Sequence, residues 1–164
     1  FDLMSLLRSY LDNEIHDLHK KNIRFKVIGD SEKLDADIVE LIEVAEELTK
    51  ENCDLTLTIA LSYGGRRAIT LAAKELAYRA CKGTIKLDEI SEEAFELVLE
   101  TQGVPNPDLV IRTSGEKRIS NFLLWECAYS EFVFFDTLWP DFSSEHLTKA
   151  VQEYCNRERR FGAA

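Results

Sequence analysis

The chain has 164 residues, 45% of them apolar and 30% charged, an ordinary mixture for one domain with a real core. Its formal net charge of -10 argues against a general nucleic-acid binder, which needs a basic surface to replace counterions. No apolar run reaches membrane-spanning length, so any membrane contact is expected to be peripheral, and four widely spaced cysteines without a Cys-x-x-Cys pair fit reduced thiols in a cytoplasmic protein.

In chain order, Leu3, Leu7, Tyr10 or Leu11, Ile15 and Leu18 recur at helical spacing, which predicts an amphipathic helix over 2–20. His16 and His19 on it have a metal-compatible spacing but no second pair of ligands. A strand follows over 24–28 and ends at Gly29-Asp30-Ser31. Asp35 or Asp37 then caps a second helix with the stripe Ile38, Leu41, Ile42, Ala45 and Leu48. Leu55 to Leu61 alternates threonine with aliphatic residues, as a strand does.

Tyr63-Gly64-Gly65 turns directly into an alanine-rich helix over 66–81, closed by Gly83. Strand, glycine turn and helix is the plan of a phosphate cradle, although a glycine pair after a strand is more often a tight turn. A short helix is expected over 91–102, opened by a capping box at Asp88 or Ser91. Pro105 and Pro107 impose an extended approach to a buried strand over 109–111. Residues 119–125 read as helical, 131–135 as a strand and 143–159 as the last helix, capped by Ser143 or Ser144. Strands alternating with helices predict an α/β domain with a largely parallel, helix-covered sheet.

The richest chemistry follows the strand at Leu109. Arg112-Thr113-Ser114-Gly115-Glu116-Lys117-Arg118-Ile119-Ser120 places two planar forks of donors, a hydroxyl and a glycine within nine positions, where α/β proteins hold ligands. A single arginine there could merely pair with a carboxylate; the group together satisfies a phosphate. Arg157, Arg159 and Arg160 form a second basic cluster, which taken alone reads as a solvated helix end. Trp125, Trp139 and the phenylalanines are most simply core.

Arg112 to Trp125, followed by Ala128-Tyr129-Ser130-Glu131 and Leu138-Trp139-Pro140-Asp141-Phe142, resembles the C-terminal signature of the cis-prenyltransferases of the bacterial undecaprenyl diphosphate synthase type. Val27-Ile28-Gly29-Asp30, Tyr63-Gly64-Gly65-Arg66 and Asn156-Arg157-Glu158-Arg159-Arg160-Phe161-Gly162 are similar to that family's turns and tail. The resemblance implies a transferase of isoprenoid biosynthesis. It would condense isopentenyl diphosphate onto an allylic diphosphate such as farnesyl diphosphate, with Mg²⁺ as cofactor. It also implies the fold of that family with its N-terminal strands missing, so that residues 1–164 are the C-terminal portion of one domain; were they the entire polypeptide, a hydrophobic sheet edge would be exposed.

Carried over residue by residue, the resemblance gives Arg112, Arg118, Ile119 and Ser120 to the diphosphate of isopentenyl diphosphate, with Glu116 orienting Arg118 and Glu131 assisting Mg²⁺. Arg160 and Gly162 fall in the tail that closes the site across a homodimer. The Asp-Gly-Asn-Gly-Arg-Trp segment that supplies the family's catalytic aspartate does not occur in these 164 residues. No catalytic residue is therefore assigned, and the chain taken alone is expected to bind rather than turn over. A non-catalytic partner subunit and an unrelated α/β phosphate-binding domain are the alternatives. Leu3, Leu7 and Leu11 are placed equally as core or as the wall of a product tunnel.

Overall fold

The computed structural model describes residues 3–157, and the chain divides into two compact units, residues 1–102 and 103–164. The first unit contains helix α1 (Leu3–Lys20), strand β1 (Ile23–Gly29), helix α2 (Ala36–Thr49), strand β2 (Leu55–Leu61), helix α3 (Gly65–Cys81) and the short helix α4 (Glu92–Glu96). Strands β1 and β2 are parallel, in a register that runs from Ile23 opposite Leu55 to Gly29 opposite Leu61. The pairing closes at Gly29 for a steric reason. Its φ of +118° suits glycine, and a Cβ there would lie 2.0 Å from the Leu61 carbonyl oxygen.

The core of this unit joins one face each of α1, α2 and β1: Leu11, Ile15, Phe25, Ile38, Ile42 and Ala45 are buried together. Leu11 is thus core, which decides between core and tunnel wall for that residue, and partly buried Leu7 packs against it; the side chain of Leu3 lies outside the described residues. Part of the outer edge of β1 is covered by α2 and the turn that follows it. Residues of one parity on a strand direct their backbone groups to one edge, and side chains of α2 and its following turn meet three of those groups on this strand. Thr49 Oγ1 accepts from Phe25 N at 3.0 Å, Glu46 Oε1 accepts from Val27 N at 2.7 Å, and Asn52 Nδ2 donates to Ile23 O at 2.7 Å.

Past the ends of β1 and β2, buried Asp30 is held by Lys33 Nζ and Arg67 Nη2, both at 3.0 Å, and Arg67 also reaches Glu100 at 2.6 Å. The Lys33 ammonium lowers the Asp30 carboxyl below its usual range, burial opposes this and Arg67 adds to it. Asp35 precedes α2 without a side-chain cap, because Asp35 and Asp37 instead receive the Arg8 guanidinium at 2.7 and 2.6 Å.

The second unit contains β3 (Leu109–Arg112), β4 (Glu131–Phe134) and α5 (Ser144–Asn156), with β3 and β4 again parallel. The single sheet expected from the alternation of elements is present as these two parallel pairs. Three sequence expectations need correction. Residues 119–125 are turns, because Ser120, Asn121 and Leu123 have φ of 49°, 66° and 43°, which no right-handed helix accepts. The helix opened by Ser91, whose Oγ accepts from Ala94 N at 3.2 Å, ends at Glu96 rather than continuing to 102. The last helix stops at Asn156, since Arg157 is extended, with ψ of 134°.

Candidate functional site: a basic loop over an aromatic pocket

The strand pair β3 and β4 exists because short apolar runs, Leu109-Val110-Ile111 and Phe132-Val133-Phe134, fall in register, with Leu109 opposite Glu131 and Arg112 opposite Phe134. On β4 the side chains alternate between faces. Val133 points into the core at 1% exposure, while Phe132 and Phe134 share the other face with ring centroids 6.1 Å apart.

Beyond the carboxyl ends of both strands the loop is stapled down. Phe135 N donates to Arg112 O at 2.8 Å, Ser114 N to Thr137 O at 2.8 Å and Gly115 N to Phe135 O at 2.9 Å. Ser114 and Gly115 reach these partners by turning left-handed, with φ of 68° and 70°. The chain then doubles back, so that Arg112 Nη1 donates to the Arg118 carbonyl, Arg118 Nε donates to Ser120 Oγ at 3.1 Å and Arg118 Nη1 forms an ion pair with Glu116. The residues at 114, 115, 120, 121 and 123 with positive φ all lie in this one loop. Such backbone, costing roughly 1–2 kcal/mol for each non-glycine residue, is kept where a loop must present side chains in one arrangement.

The loop and strands enclose a pocket of about 200 Å³ whose lining includes Arg112, Arg118, Ile119 and Ser120 beside Phe122, Phe132 and Phe134. Arg112, Arg118, Ile119 and Ser120, grouped by the sequence, thus all line this one pocket. Glu116 forms an ion pair with Arg118. The phenylalanines were assigned to the core and were missed as pocket wall. The signal that could have found them is the period-two spacing of Phe132 and Phe134 around buried Val133. Charge and apolar surface in one small cavity suit a ligand with a phosphate head and a short hydrocarbon.

Glu131 stands elsewhere. It begins β4, about 10 Å in strand rise from Phe134, the residue opposite Arg112. Its Oε2 accepts from Arg157 Nη1 at 2.6 Å, and Arg157 also donates to the Phe132 carbonyl at 2.9 Å and to Glu153. The Glu131 and Glu153 carboxylates raise the Arg157 guanidinium further above its already high range. No group of three His, Cys, Asp or Glu side chains gathers as a metal site among the described residues, and the carboxylate assigned to Mg²⁺ is engaged by an arginine. Arg160 and Gly162 lie outside the described residues.

Gly64, in the other glycine turn, is extended at φ of -156°, and the left-handed residue there is Ser62 at 52°. His16 and His19 also take part in no metal cluster among the described residues.

Parallel strands with helices, and a basic loop beyond the carboxyl ends of β3 and β4, define an α/β protein. Over residues 1–162 the sequence matches the family described as putative undecaprenyl diphosphate synthase. The isoprenyl transferase of Agrobacterium fabrum is 46% identical over 162 residues, 99% of this chain and 66% of that protein. The isoprenyl transferase of Zymomonas mobilis is 50% identical over 161 residues, 98% of this chain and 65% of that protein. Among solved structures, lavandulyl diphosphate synthase from Lavandula x intermedia in complex with dimethylallyl diphosphate is 36% identical, with a TM-score of 0.94 over 98% of this chain and 70% of that one. A probable undecaprenyl diphosphate synthase from Campylobacter jejuni, also 36% identical, has a TM-score of 0.84 over 97% of this chain and 72% of that one. The chain therefore belongs to the cis-prenyltransferase family of undecaprenyl diphosphate synthases. It spans just under two thirds of the length of the isoprenyl transferases it matches.

Proposed function

We propose that this chain carries the isopentenyl diphosphate site of a cis-prenyltransferase, the enzyme that adds this unit to an allylic diphosphate to build a cis-polyprenyl diphosphate. The observation that carries the reading is the pocket itself. Arg112, Arg118 and Ser120 supply charged and hydroxyl donors at its rim, and Ile119, Phe122, Phe132 and Phe134 supply an apolar wall. The two guanidinium groups hold the diphosphate by charge-assisted bonds, each contributing roughly 1.5–3 kcal/mol. The rings exclude water from the five-carbon tail, which gains roughly 0.8 kcal/mol per buried CH₂.

In this reading Glu116 keeps the Arg118 fork aimed until the diphosphate takes its place. Condensation further requires ionisation of the allylic substrate, and the residues named here act on the other partner, by binding it and fixing its orientation. The enzyme would act as a homodimer in the cytoplasm, with Arg160 and Gly162 closing the site of the second copy and only peripheral membrane contact as the product leaves. No helix among the described residues is long and apolar enough to cross a membrane.

Titration calorimetry of the full chain with isopentenyl diphosphate tests the reading. Arg112→Lys, which retains charge but loses the fork, should weaken binding about 10- to 100-fold, and Arg118→Lys should behave similarly. Undiminished binding by the double variant would refute it.

A further inference from the structure

The Arg157 clamp lies outside the grip just described, yet it is tied to one wall of the same pocket. Arg157 is the first extended residue after α5, and its guanidinium joins three acceptors: Glu131 Oε2, the Phe132 carbonyl and a Glu153 oxygen. Two of these belong to the first two residues of β4 and the third to the last turns of α5. The side chain is about one third exposed, as is that of Glu131, so the arrangement is a partly buried fork rather than a solvated helix end. Phe132, whose carbonyl it holds, stacks with Phe134 at an interplanar angle of 16°, and both rings line the pocket. The fork therefore fixes the backbone from which the aromatic wall projects. Nothing in the cluster reaches Arg112, Arg118 or Ser120 directly.

We propose that Arg157 is a positioning residue for the apolar wall, and that with Glu131 it sets the preference of the pocket for a diphosphate bearing a short hydrocarbon over a bare diphosphate. The inference rests on the pocket being a diphosphate site. Glu131 takes part in this clamp through Oε2. A single ammonium cannot bridge a carboxylate and a carbonyl with the geometry of a guanidinium, so lysine at 157 should restore the function only in part.

The test is calorimetry with two probes, isopentenyl diphosphate and inorganic pyrophosphate, on the full chain and its variants. Arg157→Gln should weaken isopentenyl diphosphate about 3- to 10-fold while leaving pyrophosphate within about twofold, because the wall shifts and the phosphate grip does not. Arg157→Lys should fall between, and Glu131→Ala should shift affinity in the same direction. The double variant Glu131→Ala with Arg157→Gln should be no worse than Arg157→Gln alone. Retained pyrophosphate binding serves as the control for folding. Equal losses for both probes, or no loss for either, would overturn the assignment of Arg157. Failure of the unsubstituted chain to bind either probe would instead remove the diphosphate reading, and this inference with it.

Discussion

Asp30 shows how one buried carboxylate organises the end of a strand pair. Its pKa is lowered in the folded chain, first by Lys33 and also by Arg67, so it is ionised at pH values where the unfolded chain still binds a proton. The stability it contributes is complete above the ordinary aspartate value of 3.8 and is lost as pH falls through the lower folded value. Asp30→Asn should therefore be less stable than the parent near neutrality, with the gap closing on acidification below that point, as read from urea midpoints over a pH series. A gap of constant size would contradict the assignment. Beside it, Gly29→Ala should cost about 2–4 kcal/mol in denaturant unfolding, because the new Cβ meets a backbone carbonyl that cannot swing aside. The glycine and aspartate stood out in the sequence as a turn. That Leu61 crosses Gly29 so closely did not, because the contact joins residues 32 positions apart in sequence, through a register only pairing can set.

At the scale of elements, helix α2 acts as a lid on the edge of β1. Thr49 is fully buried, donates to Ala45 O at 2.9 Å and accepts from Phe25 N at 3.0 Å, so one hydroxyl links helix and strand. Thr49→Val keeps the volume but orphans the buried Phe25 N–H, and should cost about 1–3 kcal/mol by chemical denaturation; Thr49→Ser should retain most of the bond. The apolar stripe of α2 was legible from its spacing. Its second task was not, because Thr49 and Glu46 look like ordinary helix residues until the strand is laid beside them. Residues 119–125 make the converse case. Their composition reads as helix, yet the staples from Ser114 and Gly115 to Thr137 and Phe135 belong to a loop that must return Arg118 and Ser120 to the end of β3, and left-handed backbone does this over a short span.

For the whole molecule, the two basic clusters stand out against a net charge of -10, and both concern one proposed ligand. The proposal of a tail that closes the site of a second copy makes its own prediction. Removing residues 159–164 should leave the thermal unfolding midpoint unchanged and weaken isopentenyl diphosphate binding; unchanged affinity would refute the tail's role. Sequence by itself determined the α/β class, most of the elements and the grouping of Arg112, Arg118 and Ser120 in one loop, because local periodicity and a contiguous motif carry that information within a few positions. Only the tertiary structure decided that Phe132 and Phe134 are wall rather than core, that Leu11 is core, and that Glu131 answers to Arg157. These depend on which distant segments meet, and burial and ion pairing are set by that meeting rather than by the identity of any one residue.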